Sequence, residues 1–354
     1  MDGEATAVVE APGGVRASAR DRRGANRIDL MSGHRELSES VVENVLRAAT
    51  LFSGLVVVLV ALFVLERGVP AILHSGWDFF SATGWDVDLE DAWSNPVGAT
   101  FGALPLVAGS VLTTLGALIL TTGVGLGCSI ALVEFSPGWL RRPVEAIVQL
   151  LAGIPSVVFG LVGFTLLVPF IGRLVPANAA EVAPEVVFDG QALLTAVLVL
   201  SFMIMPFFVS VTSDALRAVP RSLMDGGRAL GLTHWRAITK IQLPLALPGI
   251  IAAVVLSAAR AMGEAIALSM VAGALALLPS FQHGTIYFLL TPMRTMASAI
   301  VETGGEAASI PSIQGALFGL ATLLLLSSLA LSLAARFAFT WSAKKLQLAS
   351  ERSV

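Results

Sequence analysis

The sequence is poor in charge and nearly devoid of cysteine, tyrosine and lysine. Only 13% of its 354 residues are Asp, Glu, Lys or Arg, about half the ~25% usual in soluble domains. With 55% hydrophobic residues and a mean hydropathy of +0.82, that shortage excludes an ordinary soluble globular fold. A single cysteine, Cys128, excludes an intramolecular disulfide and, inside an apolar run, reads as a small packing residue. The three lysines, Lys240, Lys344 and Lys345, follow Thr, Lys or Ala and never the glycine of a phosphate-binding loop, so the chain has no such nucleotide site of its own. His74, His234 and His283 are scattered without metal-ligand spacing. A net charge of -3 gives no basic surplus for nucleic acid.

What the chain does have is long apolar runs. Six segments predict membrane-spanning helices, at about 44–66, 103–134, 143–172, 191–213, 246–278 and 313–340. The expected fold is therefore an all-α, polytopic helical bundle, because only helices satisfy the backbone across a lipid bilayer in segments of this length. Residues 1–43 carry no apolar core before Val45. They read as a solvated, disordered tail rather than a secretory signal. The membrane domain is placed at 44–342 and a second tail at 343–354.

Basic residues orient the spans. The N-terminal tail, the 135–142 loop, the 214–245 loop and the C-terminal tail hold 18 of the 22 Lys and Arg. The opposite loops hold Arg67, Arg173 and Arg294 among acids such as Asp86, Asp88 and Glu181. The excess of positive charge predicts that both termini are cytoplasmic. Arg294 suits an attractor of anions or a contact for another protein, or else a plain salt bridge or a solvated arginine. Gly109, Gly116, Gly123 and Gly127 in the second span permit close helix packing. Pro155, Pro169 and Pro206 mark either kinks and boundaries or merely tolerated prolines.

The 214–245 loop is organised. With its continuation it reads DALRAVPRSLMDGGRALGLTHWRAITKIQLPLALPG. A helix is expected after Pro220 and a break at Gly231. A second short helix, capped by Thr233, should end before Pro244. Leu230, Trp235 and Ile238 among basic residues suit either an interfacial helix or a protein-docking surface.

The stretch DGGRALG, followed by nine residues and IQLP, resembles the EAA loop of ABC importer permeases. Gly231, Ile241, Leu243 and Pro244 keep that spacing, while Asp225, Gly226 and Gly227 replace Glu-Ala-Ala. The two glycines weaken the first helical turn, at roughly 1 kcal/mol each against Ala. The resemblance implies a coupling helix docked on a separate ATPase, here over Asp225, Gly226, Gly227, Ala229, Leu230, Gly231 and Trp235.

One basic residue belongs to no loop. In SAARAMGEAIALSM, Arg260 and Glu264 interrupt the fifth apolar segment. Arg260 lies about 15 residues, over ~20 Å at ~1.5 Å per residue, from the cytoplasmic end of that segment. On a continuous helix Glu264 at i+4 shares its face. One reading is a structural ion pair locking the helix to a neighbour. The other is a polar path for an anion, since an intramembrane ionisable residue marks a pathway by default. The guanidinium fork matches phosphate, and the carboxylate suits a cargo that still carries a P–OH proton, which a fully deprotonated sulfate lacks. The same Glu264 also suits a plain counter-ion.

The runs LPLALPGIIAA and ARAMGEAIALSMVAG are similar to the fifth-helix region of the phosphate-specific Pst permeases. FGALPLVAGS, RRPVE continuing to AGIPSVVFGL, and PMRTMASAIVETGGEA are similar to its C-type subunit. Ala265 and Ala274 stand where Thr and Asn are common. The resemblance implies a type I importer architecture, with Arg260 and Glu264 on the anion path. It implies as partners a PstA-type second permease, an ATPase dimer that itself binds ATP and Mg, and an extracytoplasmic phosphate-binding protein. The chain itself would be non-catalytic, without cofactors, in the bacterial inner membrane. Alternatives are a permease for sulfate or molybdate and an ATP-independent secondary transporter.

Overall fold

The computed structural model describes residues 19–95, 98–184, 186–305 and 309–351, with side chains from Val42 to Phe337 apart from Ala180 and Ala335. All regular structure among the described residues is helical. The chain divides after Leu62 into two compact units. Helix α1 covers Ala19–Ser75, so residues 19–43, expected as disordered tail, are helical. Arg, Leu and Glu recur there, and these residues lose little rotamer freedom in a helix. Residues 1–18 lie outside the described part.

Short helices α2 (Asp78–Ser81) and α3 (Trp85–Ser94) precede the long α4 (Leu104–Ile130). Next come α5 (Gly138–Ala152), α6 (Ser156–Val162), α7 (Val168–Gly172), α8 (Ala179–Val182) and α9 (Leu193–Arg217). The loop helices are α10 (Arg221–Ala229) and α11 (His234–Ala237), leading into α12 (Leu243–Met262). The chain closes with α13 (Ile266–Val271), α14 (Thr285–Leu290), α15 (Met296–Thr303) and α16 (Pro311–Glu351).

Five stretches among the described residues are long and apolar enough to span a bilayer, and a bent pair makes a sixth. Two expected spans are corrected. The 143–172 segment bends by 94° between α5 and the stretch from Ser156 to Gly172. Pro155 sits at the break, where it lacks a backbone donor and pushes its predecessor out of helical geometry. Pro206, by contrast, lies inside an unbroken α9. The 246–278 segment is no single helix either. Its helix ends at Met262, and Gly273 turns the chain at φ 101.

Helix α9 is the centre of the bundle, packed against α4, α5 and α12. Its most apolar stretch is 61% buried, against 28% for the α16 span. Small residues make the α4–α9 crossing close. Gly109, Thr113, Ala117, Thr121, Gly125 and Ser129 recur every fourth residue along α4, and all are buried. A Cβ on Gly125 would lie 2.7 Å from Phe208, and one on Gly116 2.7 Å from Val197. The approach lets hydroxyls reach across. Thr121 Oγ1 donates to Ser201 O, Ser201 Oγ to Ala117 O, and Ser129 Oγ to Val209 O, each at 3.4 Å. Gly123 and Gly127 face open space and make no such contact. Cys128 is exposed rather than packed.

At the end of the bundle away from α10 and α11, Phe79, Trp85, Phe101, Leu106, Ile313 and Leu317 form a buried cluster. The last turns of α1 pack on α16 there. A Cβ on Gly68 would fall 2.3 Å from Phe318 O.

Candidate functional site

Two regions of predicted function lie at the two ends of one span. The first is the loop. Helix α10 begins at Arg221, directly after Pro220, and Gly231 turns the chain at φ 91. Thr233 Oγ1 accepts from Arg236 N, which caps α11 as expected. The helix does not end before Pro244, however. A wide π-helical turn, Ile238–Gln242, carries α11 into α12 and leaves Pro244 in the first turn of α12. Pro244 donates no N–H, and it stands where the wide turn has already interrupted the regular i→i−4 ladder.

The loop has two faces. Met224, Gly227, Ala237 and Ile238 are buried, the three apolar ones on a cluster with Ile130, Val133, Leu216 and Ile250. Gly227 admits Ile241, whose Cδ1 lies 2.4 Å from where a Cβ would stand. Outward lie Asp225, Gly226, Ala229, Gly231 and Pro244. Leu230 is 89% exposed and Trp235 55% exposed. Leu243 and Ile241 are partly covered. Such apolar exposure, flanked by Arg221, Arg228 and Arg236, suits either the interfacial helix or the docking surface read from the sequence.

The second region is the top of α12. Ala253, Ser257, Ala258 and Ala261 point into the bundle, while Arg260 is exposed beside Leu256. Arg260 stands in the last turn, some 17 residues and ~26 Å from Leu243 along the axis. A cation in that turn suits the helix dipole. No hydrogen bond or ion pair joins it to any described residue.

Glu264 is not on its helical face, because the helix has ended. Glu264 N bonds Ala261 O across the break, and its Oε1 accepts from Ala267 N at 3.1 Å. The expected i,i+4 pair is thus replaced by a cap on α13. The break falls at Gly263, whose φ of -85 any residue adopts; what glycine contributes there is a weak helix propensity, about 1 kcal/mol below Ala. Helix α13 then packs on α6, where Gly160 leaves room for Ala267.

Arg294 resolves as a salt bridge. Its Nη1 is 3.3 Å from Asp86 Oδ1, and its Nε is 2.8 Å from Glu302 Oε2. Asp86 Oδ2 also accepts from Ala276 N at 2.8 Å, so one carboxylate ties α3 to the segment after α13. Burial pushes Glu302 above its ordinary range, against the pull of Arg294. Asp88 is likewise raised by burial, opposed by the bond from Gly102 N.

Sequence reasoning missed Glu134 and Gln242. Gln242 Nε2 donates to Glu134 Oε1 at 2.6 Å and to Leu216 O at 3.3 Å. They stand 108 residues apart, and each reads alone as an ordinary polar residue near a span end. Among the described residues no group of three His, Cys, Asp or Glu is placed to hold a metal ion.

Residues 123–347 match the family described as "Binding-protein-dependent transport system inner membrane component". The chain is 33% identical over 261 residues to the probable ABC transporter permease protein YqgH of Bacillus subtilis, covering 73% of this chain and 79% of that one. It is 36% identical over 252 residues to the phosphate transport system permease protein PstC 1 of Mycobacterium tuberculosis, covering 66% and 72%. Among solved structures, the inward-facing methionine ABC transporter MetNI matches at 19% identity with a TM-score of 0.47, over 66% of this chain and 93% of that one.

Proposed function

The chain belongs to the family of binding-protein-dependent transport system inner membrane components, and on that premise we propose that it is the PstC-type permease subunit of an ATP-driven importer of inorganic phosphate. It is a multi-pass inner-membrane protein, and five or six stretches among the described residues are long and apolar enough to span. The observation that carries the reading is Arg260, a guanidinium without a counter-ion among the described residues, on a spanning helix that rises from the exposed loop. Relatives named as phosphate transport permeases support the choice of cargo among oxyanions.

In this reading Leu230 and Trp235 seat the chain on an ATPase dimer, which binds ATP and Mg. The permease itself is non-catalytic. A PstA-type permease covers the face of α12 that bears Arg260, and the path runs between the two subunits. An extracytoplasmic phosphate-binding protein delivers cargo at the end of the bundle opposite the loop. Both termini are cytoplasmic, in line with the 18 of 22 basic residues on that side. Arg260 receives phosphate oxygens through its planar fork. Glu264 keeps α13 in place through one oxygen and accepts a P–OH proton with the other, which disfavours sulfate.

Uptake of labelled phosphate by the intact transporter in proteoliposomes tests this. Uptake should require ATP and be unaffected by excess sulfate or molybdate. Equal competition by either overturns the cargo. Uptake without ATP overturns the mechanism.

A further inference from the structure

Two wide helical turns meet at the base of the bundle. Helix α4 ends in a π-helical turn, Ala131–Phe135, and the loop enters α12 through a second, Ile238–Gln242. Single π-turns inside α-helices occur frequently at functional sites. Here they face each other through a carboxylate and an amide.

The contact is shielded from water. Gln242 is 3% exposed and the Glu134 side chain 17%, and a low local dielectric strengthens such a bond. The 2.6 Å separation is that of a short, charge-assisted hydrogen bond. The second amide hydrogen reaches Leu216 O on α9. Glu134 Oε2 lies 3.6 Å from His234 Nε2, and the His234 ring meets Phe135 edge-on with centroids 5.3 Å apart. One carboxylate therefore bonds the far end of segment 234–242 and lies beside its near end. A cavity of about 100 Å³ beside it, bordered by Arg221, Met224, Asp225 and Arg228, leaves α10 room to rock against that fixed point.

We propose that Glu134 is a positioning residue for transport, latching the ATPase-docking loop through Gln242 to the inner ends of α4 and α9. The latch makes the loop and these helices move as one body when the ATPase moves. Its part in transport rests on the function proposed above; the latch itself rests on geometry alone.

The test uses three variants of the complete transporter. Glu134→Gln keeps shape and removes charge. Gln242→Glu sets two carboxylates face to face. The double variant restores a carboxylate–amide pair with its direction reversed. Each single variant should lower phosphate carried per ATP hydrolysed at least fivefold and speed hydrogen exchange at amides 230–233. The double variant should recover part of both and exceed Gln242→Glu, since a carboxylate at 242 regains the partner at 134 but donates nothing to Leu216 O. Unchanged exchange in both single variants overturns the latch whatever the cargo is. Faster exchange with unchanged phosphate per ATP overturns the positioning role. A double variant no better than Gln242→Glu overturns the pairing and leaves Glu134 as a folding residue only. A wild-type complex that carries no phosphate fails on cargo instead, and exchange then decides on the latch.

Discussion

Replacing Arg260 by Gln separates an anion path from a structural ion pair, because the two readings differ in magnitude. Breaking a buried ion pair by removing one partner costs about 3–5 kcal/mol, since a charge is left uncompensated. The geometry here leaves no such charge behind. Arg260 is exposed and has no bonded partner among the described residues, and Glu264 is satisfied by Ala267 N. What the helix loses is the favourable placement of a cation in its last turn, about 0.3–1 kcal/mol. A hydrogen bond to a charged group contributes about 1.5–3 kcal/mol, and one lost from the transport path slows passage by roughly 10- to 150-fold. Arg260→Gln should thus leave the yield and thermal midpoint of the purified complex nearly unchanged while reducing phosphate uptake at least tenfold. The assay pairs a thermal-shift measurement with initial uptake rates in proteoliposomes. Normal uptake, or a complex that falls apart, would refute the reasoning.

The loop glycines should respond with different signs. Gly226→Ala meets open space and should raise the stability of the complex by up to about 1 kcal/mol through helix propensity. Gly231→Ala also meets open space but must hold φ 91, costing about 1–2 kcal/mol. Gly227→Ala must displace the Ile241 Cδ1 atom and should fall between the two; thermal midpoints in that order check the loop geometry. Leu230→Asp should abolish copurification with the ATPase without lowering the chain's own stability, because the side chain is 89% exposed; retained copurification would remove Leu230 from the docking surface. Glu302 holds its proton more tightly folded than unfolded. Stability from this group is therefore full below 4.5 and lost as pH rises through the higher folded value. Asp88 adds a slope of the same sign from 3.8 upward. Glu302→Gln should flatten the decline in thermal midpoint on the alkaline side of 4.5, and an unaltered slope would contradict the assignment.

The spans were legible because a bilayer admits few solutions to backbone satisfaction, and runs such as 191–213 can be little else. Thr233 and Gly231 were legible for a related reason: capping and left-handed turns need particular side chains at fixed offsets. The break at Pro155 was legible only as one of two readings, since a proline in an apolar run either bends it or is tolerated. The break at Gly263 was masked because Arg260 and Glu264 at i,i+4 read as neighbours on one continuous helix. The failure at Gly263 mattered most. It turned an expected Arg260–Glu264 pair into a helix cap and a cation with no bonded partner among the described residues. Gly123 and Gly127 looked like packing residues from composition, yet the stripe that meets α9 runs through Thr113, Ala117, Thr121 and Ser129. Hydroxyls hidden among glycines are invisible to a count of glycines. Glu134 and Gln242 depended on a tertiary meeting that no local pattern announces.

The stretch from His234 to Met262 is one helical run long and apolar enough to cross a bilayer, and Arg260 stands near its far end. From His234 to Arg260 is 26 residues, or roughly 39 Å of axis. Pivoting such a rod at its foot by about five degrees sweeps the far end through roughly 3 Å, the reach of one hydrogen bond. On the proposed path, a stroke of that size gives or withdraws the guanidinium from a passing oxyanion, and gating then requires no melting of structure, only a change of angle at the base.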